Sequence, residues 1–268
     1  MHDMYLIILA YMGMGTIAGV LAGMLGIGGG QVIVPMLVFA FTLQGIPNEH
    51  IMHLALGTSM ASIIFTAVSS FWSHHKRGAV HWDVVRRIVP GILLGTFAGS
   101  FLAARMSTNS LKVFFVIFIY YVAAQILMNK KPKAARTLPG ALGMFGAGNT
   151  IGVASSLVGI GGGALSVPFM LWCNITVHKA IGTSAAIGFP IAIAGTVGYV
   201  FNGLHVAGLP DYSLGFAYLP ALAGIVAGSV VTAPLGVRLA HSLPVGGLKR
   251  AFAVLLIAVG TRMLWGLL

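Results

Sequence analysis

Leu25-Gly26-Ile27-Gly28-Gly29-Gly30, closing on Val34-Pro35, and Val158-Gly159-Ile160-Gly161-Gly162-Gly163, closing on Val167-Pro168, are two copies of one motif. Each interrupts a long apolar stretch. No Asp, Glu, Lys or Arg occurs from residue 4 to 48, or from 137 to 178. About 20 apolar helical residues cross the hydrocarbon core of a bilayer. Each stretch is therefore too long for one crossing and suits one full helix plus a shorter return. Three consecutive glycines end a helix, because glycine costs about 1 kcal/mol per residue inside one.

Composition points the same way. Hydrophobic residues make up 58% of the chain and charged residues 7%, against roughly a quarter charged in soluble domains. So few charges cannot cover a soluble surface of this size. That excludes a soluble enzyme, a disordered chain and a soluble nucleic-acid binder, and leaves an all-α polytopic membrane protein. The formal charge of +11 is read as basic loops facing an anionic cytoplasmic leaflet. The single cysteine, Cys173, makes neither an intrachain disulfide nor a metal site. Residues 4–24 lack the basic start of a signal peptide and are read as a retained helix. Further helices are expected near 51–73, 83–104, 110–128, 178–202, 212–236 and 247–268.

The chain repeats itself beyond the glycine motif. Gly57-Thr58-Ser59 matches Gly182-Thr183-Ser184. Gly95 with Ala98-Gly99-Ser100 matches Gly224 with Ala227-Gly228-Ser229. Arg105 matches Arg238, and Leu111-Lys112 matches Leu248-Lys249. The order is kept, as a tandem duplication requires. The expected division is a first membrane repeat over 1–128, a basic cytoplasmic linker over 129–138 and a second repeat over 139–268.

Loop charge sets orientation. Lys76, Arg77, Arg86 and Arg87 mark the 74–87 loop as cytoplasmic, and Lys130, Lys131, Lys133 and Arg136 do the same for the linker. The 203–211 loop occupies the matching repeat position but holds no Lys or Arg, so it is expected outside. Equivalent loops on opposite sides imply inverted repeats with an odd number of crossings each. About four full helices plus one short broken or re-entrant segment meet that count, the short pieces being near 31–43 and 164–174.

The two breaks are the expected site. Lipid cannot satisfy backbone groups freed by a break, so such a loop is buried in protein or lines a water cavity. The start of the following segment presents N–H groups and the positive end of a helix dipole, which attract anions. A blander account of one such run is tight helix crossing; two copies in matched charge-free stretches favour a site. The expected substrate-binding set is Gly28, Gly29, Gly30, Gln31, Thr58, Ser59, Ser155, Ser156, Gly161, Gly162, Gly163, Ser166, Thr183 and Ser184. Neutral amides and hydroxyls hold an anion without trapping it. Asp3, Glu49, Asp83 and Asp211 all fall at helix ends or loops, so neither a carboxylate proton relay nor an aspartyl protease is legible. His53 and His178 sit near the starts of equivalent helices and are read as out of register, His53 being the better proton or substrate group. No cofactor, catalytic residue, metal or nucleic acid is expected. The partners are a small anion and the bilayer, with a homo-oligomer left open.

A first helix carrying Gly15, Ala18, Gly19, Ala22 and Gly23, the two GIGGG runs with their Val-Pro endings and the two Gly-Thr-Ser triplets together resemble the sulfite exporter TauE/SafE family of bacterial membrane proteins. The resemblance covers the chain from about residue 5 onward. It implies export of a small sulfur-containing anion, such as sulfite or an organosulfonate, across the cytoplasmic membrane. A passive anion channel and a non-transporting anchor subunit are the alternatives. One departure is the longer insert between Pro35 and Gly57, which implies that the two gates differ.

Overall fold

A computed structural model describes residues 2–25, 29–128, 136–242 and 245–266. Gly28 of the expected site and the linker residues Lys130, Lys131 and Lys133 lie outside them. The described chain is almost entirely helical: α1 (His2–Leu25), α2 (Gly30–Leu43), α3 (Asn48–Lys76), α4 (Trp82–Arg105), α5 (Thr108–Met128), α6 (Ala141–Val158), α7 (Gly163–Trp172), α8 (Val177–Gly203), α9 (Leu219–Ser242) and α10 (Val245–Trp265). Six of the described helices are long and apolar enough to cross a membrane. The short pieces fall where the breaks put them. At 1.5 Å per residue, the 14 residues of α2 and 10 of α7 reach only about 21 and 15 Å, less than the roughly 30 Å of hydrocarbon.

The expected helix over 212–236 is corrected. Ser213–Leu214 (β1) and Ala217–Tyr218 (β2) form a small antiparallel hairpin, and α9 starts only at Leu219. The stretch is apolar enough to pass for helix, but its local chemistry forbids one. Tyr212 takes φ +64° and Gly215 φ +55°. Gly215 opens a two-residue hairpin turn at the position that favours glycine. Pro220 then fits the first turn of α9, where its missing N–H costs nothing.

Helix packing crosses between the two halves of the chain. α1 lies along α9, α4 along α6, α3 along α8 and α5 along α10. The first helix of each half thus packs on the fourth helix of the other. Glycines set both crossings. Gly15 meets Ile225 and Gly19 meets Ser229 on one, while Gly95 meets Asn149 and Gly152 meets Ile92 and Thr96 on the other. Small residues at such crossings let backbones approach closely, which is how helices associate in lipid.

Polarity runs inside out. Ile17, Phe39, Phe65, Leu94, Ile117, Phe201, Val231 and Val254 are exposed, while Gln31, Thr58, Ser59, Ser62, Ser155, Ser156, Ser166 and Thr183 are buried. In water this would expose the apolar surface and hide the groups that water solvates. In lipid both placements are favourable.

Candidate functional site

The second break is built by two left-handed glycines. Gly159 ends α6 at φ +69°, its N–H donating to the Ser156 carbonyl and that of Ile160 to the Ser155 carbonyl. These are the two bonds of a Schellman cap. Gly162 then adopts φ +74° and opens α7, its carbonyl accepting from the N–H groups of Leu165 and Ser166. Among the described residues, the N–H groups of Gly163 and Ala164 reach no backbone carbonyl. They are the open donors at the positive end of α7.

The first break abuts the second. A Cβ added to Gly30, at the head of α2, would sit 2.5 Å from the Gly159 carbonyl oxygen and 3.1 Å from Ile160 Cα. Only glycine allows that approach. Ser59 Oγ donates to the same carbonyl at 2.8 Å, and Ser62 Oγ donates to the Ser59 carbonyl at 2.7 Å. The middle of α3 is thereby pinned to the junction of the two breaks.

Two polar side chains at the breaks have no hydrogen-bond partner among the described residues. Gln31, 2% exposed, leaves both Nε2 and Oε1 unbonded, and Ser155, fully buried, leaves Oγ unbonded. A Cβ on Gly162 would lie 3.3 Å from Ser155 Oγ, so this hydroxyl stands beside the N-cap of α7. An unpaired buried polar group costs about 1–3 kcal/mol. Ser166 and Ser184 share a hydroxyl–hydroxyl bond of 2.8 Å between α7 and α8. Ser156 is spent locally, its Oγ donating to the Val153 carbonyl and its carbonyl accepting from Tyr199 Oη at 2.9 Å.

The two triplet threonines stand apart from the breaks and do matching work. Thr58 Oγ1 accepts from the Tyr218 N–H at 3.0 Å, and Thr183 Oγ1 accepts from the His81 N–H at 2.8 Å. Each bond ties a third helix to the segment leading into the fourth helix of the other half. The preceding glycines repeat the exchange, since Gly57 lies against the Phe216 carbonyl and Gly182 against the Ala79 carbonyl.

The expected residues thus fall into two groups. Gly29, Gly30, Gln31, Ser59, Ser155, Ser156, Gly161, Gly162 and Gly163 belong to the breaks or touch them, and the Ser166–Ser184 pair joins the short helix α7 to α8. Thr58 and Thr183 seat the opposite half. Sequence reading missed Ser62, Tyr199 and Thr96. Tyr199 had one available signal, a hydroxyl-bearing aromatic inside an otherwise apolar helix. The register of the histidines is also corrected. Both stand four residues before the triplet glycine, yet His53 is buried and His178 exposed. Counting from the helix starts hides this, because α3 begins further ahead of its triplet than α8 does.

The family model described as "Sulfite exporter TauE/SafE" matches residues 11–263. A probable membrane transporter protein of Haemophilus influenzae is 39% identical, over 97% of this chain and 99% of its own. The probable membrane transporter proteins YunE and YdhB of Bacillus subtilis are 27% and 25% identical, covering 94% and 87% of this chain and 95% and 90% of theirs. No solved structure matches at a significant level.

Proposed function

The chain belongs to the sulfite exporter TauE/SafE family of membrane transporters, and from that premise we propose that it exports a small sulfur-containing anion, sulfite or an organosulfonate. The route runs outward across the bacterial cytoplasmic membrane, and the chain does no covalent chemistry on its cargo. One observation carries the reading: the head of α2 meets the second break, beside Gln31 and Ser155, whose buried polar atoms have no partner among the described residues. An anion between the breaks would accept from the Gln31 amide, the Ser155 hydroxyl and the open N–H groups of α7. None of these carries a formal charge, so the ion would be held by dipoles and could leave. Flux of sulfite and isethionate in proteoliposomes tests this. Gln31→Leu and Ser155→Ala should each abolish saturable flux while leaving the protein as thermally stable as before or more so, since each removes an unpaired buried group. Unchanged flux in both would end the reading. Linear, non-saturating flux would indicate a channel.

We further infer that the halves, 1–128 and 139–268 about the 129–138 linker, are inverted repeats. The reciprocal α1–α9 and α4–α6 packing and the Thr58–Tyr218 and Thr183–His81 exchange support it. In a background with Cys173 replaced, a cysteine at Leu209 should react with an impermeant reagent from outside and one at Gly78 should not. Equal labelling would sink the inversion.

A further inference from the structure

His53 lies near the start of α3, 6% exposed, with both ring nitrogens against carbonyl oxygens. Nδ1 is 3.1 Å from the Glu49 carbonyl and Nε2 is 3.1 Å from the Ala103 carbonyl. A neutral imidazole carries one N–H and can satisfy one of the two, leaving a lone pair facing the other oxygen. The imidazolium satisfies both. Two further features favour the cation. Ala103 lies in the last turn of α4, at the negative end of its dipole. The Phe216 ring stacks on the imidazole at 5.1 Å between centroids and 30° between planes, presenting its electron-rich face. Burial opposes a charge here, while the two carbonyl oxygens and the Phe216 ring act in its favour.

The ionisable groups on the surrounding elements are few at the end nearest His53. They are Glu49 and His50 in α3, Arg105 at the end of α4, Lys112 in α5, Tyr199 in α8 and Tyr218 in the hairpin. His74, His75 and Lys76 of α3, Asp83, Arg86 and Arg87 of α4, and His178 and Lys179 of α8 stand toward the opposite ends of their helices, and Tyr120 and Tyr121 lie further along α5. α2 brings none. Lys112 is spent on the Asn48 side-chain oxygen at 3.1 Å, and His50 lies 3.3 Å from the Glu49 carboxylate.

We propose that His53 is a proton-binding site whose occupancy couples anion movement to the proton gradient; the coupling rests on the transporter reading above. The link to the breaks is continuous. His53 holds the end of α4 and, through Phe216, the hairpin. One turn on, Gly57 and Thr58 seat that hairpin by the Phe216 carbonyl and the Tyr218 N–H, and the next residue, Ser59, holds the Gly159 carbonyl. Loss of the proton sets a lone pair against a carbonyl and loosens α3 from α4 or from the hairpin. The equivalent His178 stands exposed at the start of α8, so in this conformation one of the two matched histidines is enclosed and the other open.

Nitrogen-15 spectra of histidine-labelled protein in lipid nanodiscs test the site without any substrate. One buried histidine of the nine should gain its second ring proton reversibly as the pH is lowered. Its signal should vanish in His53→Gln and persist in His178→Gln. A signal lost in His53→Gln that stays neutral throughout the titration would overturn the site. Coupling is read in proteoliposomes with isethionate, whose charge is independent of pH. An imposed pH gradient should drive isethionate flux in the wild type, and the flux that remains in His53→Gln should be the same with and without the gradient. A retained gradient response would overturn the coupling. Absence of counterflow in the wild type would instead count against the transporter reading, with the spectra still deciding the proton site.

Discussion

Ser59 in the first half of the chain donates to the carbonyl of Gly159 in the second at 2.8 Å, both groups being fully buried or at the break itself. This bond joins α3 to the junction of the two broken segments, 100 residues apart in sequence. Ser59→Ala would leave the Gly159 carbonyl without its side-chain donor. Interhelical hydrogen bonds in lipid average about 0.6 kcal/mol, rising to about 1.7, so the fold should survive with a small loss of thermal stability in detergent. Its effect on anion affinity should be larger, because the position of the break sets the geometry of every donor there. Affinity unchanged alongside a large drop in stability would make Ser59 a scaffold residue and nothing more.

The glycines at the breaks are close-approach positions and differ in kind. Gly30 is needed because a side chain would meet the backbone of the other break. Gly162 is needed because its φ is +74° and because a Cβ there would run into Ile191. Gly30→Val and Gly162→Val should each abolish flux, and Gly30→Ala should also impair it, since even a methyl group overlaps the Gly159 carbonyl. Gly140, with nothing within 4 Å of an added Cβ, is the control and should tolerate alanine. Folded yield measured beside flux separates loss of function from loss of protein. Normal flux in both valine variants would mean the breaks are not where the ion passes.

Much of this architecture is legible in the sequence because lipid removes alternatives. The charge-free stretches and the glycine runs fix the two broken helix pairs, since no other arrangement satisfies the freed backbone. The hairpin at 213–218 is not legible. Its residues are as apolar as the helix that follows, and only Gly215 and the left-handed Tyr212 separate them. The site is legible as residue types and not as geometry. Gln31, Ser155 and Ser59 stand out as neutral polar groups near a break. That Thr58 and Thr183 seat the opposite half depends on backbone N–H groups 160 and 102 residues away, for which a single sequence carries no local sign.

Cys173 offers a probe of the turn between α7 and α8. It borders a cavity of about 370 Å³ that also touches His81, Thr137, Asn174 and Lys179. Burial pushes its thiol up, and the Arg136 guanidinium, which lies over the Trp172 ring at 4.6 Å, pulls it partly back down. Alkylation needs the thiolate. Maleimide labelling of the native protein should therefore be slow at neutral pH and accelerate as pH rises past the ordinary thiol range. Arg136→Ala removes the lowering influence and should slow labelling further at any fixed pH below that range. Faster labelling in Arg136→Ala would show that access, not ionisation, controls the thiol.

The threonine pair gives the most direct check on the exchange between halves. In each case the hydroxyl oxygen accepts a backbone N–H from the segment ahead of a fourth helix, Tyr218 for Thr58 and His81 for Thr183. Valine keeps the shape and removes the acceptor. The stranded N–H is then an unpaired donor, buried at Tyr218 and part-buried at His81, at a cost of up to about 1–3 kcal/mol. Serine keeps the oxygen and loses a methyl group. Thr58→Val and Thr183→Val should therefore lower thermal stability by similar amounts, and the serine variants should retain most of it. The bonds join different parts of the molecule, so the double valine variant should show nearly additive loss. If the hydroxyls served the ion alone, the valine variants would lose affinity at unchanged stability, and the matched bonds would have no structural weight. A large loss in one valine variant and none in the other would break the equivalence of the two halves at the point where it is most closely drawn.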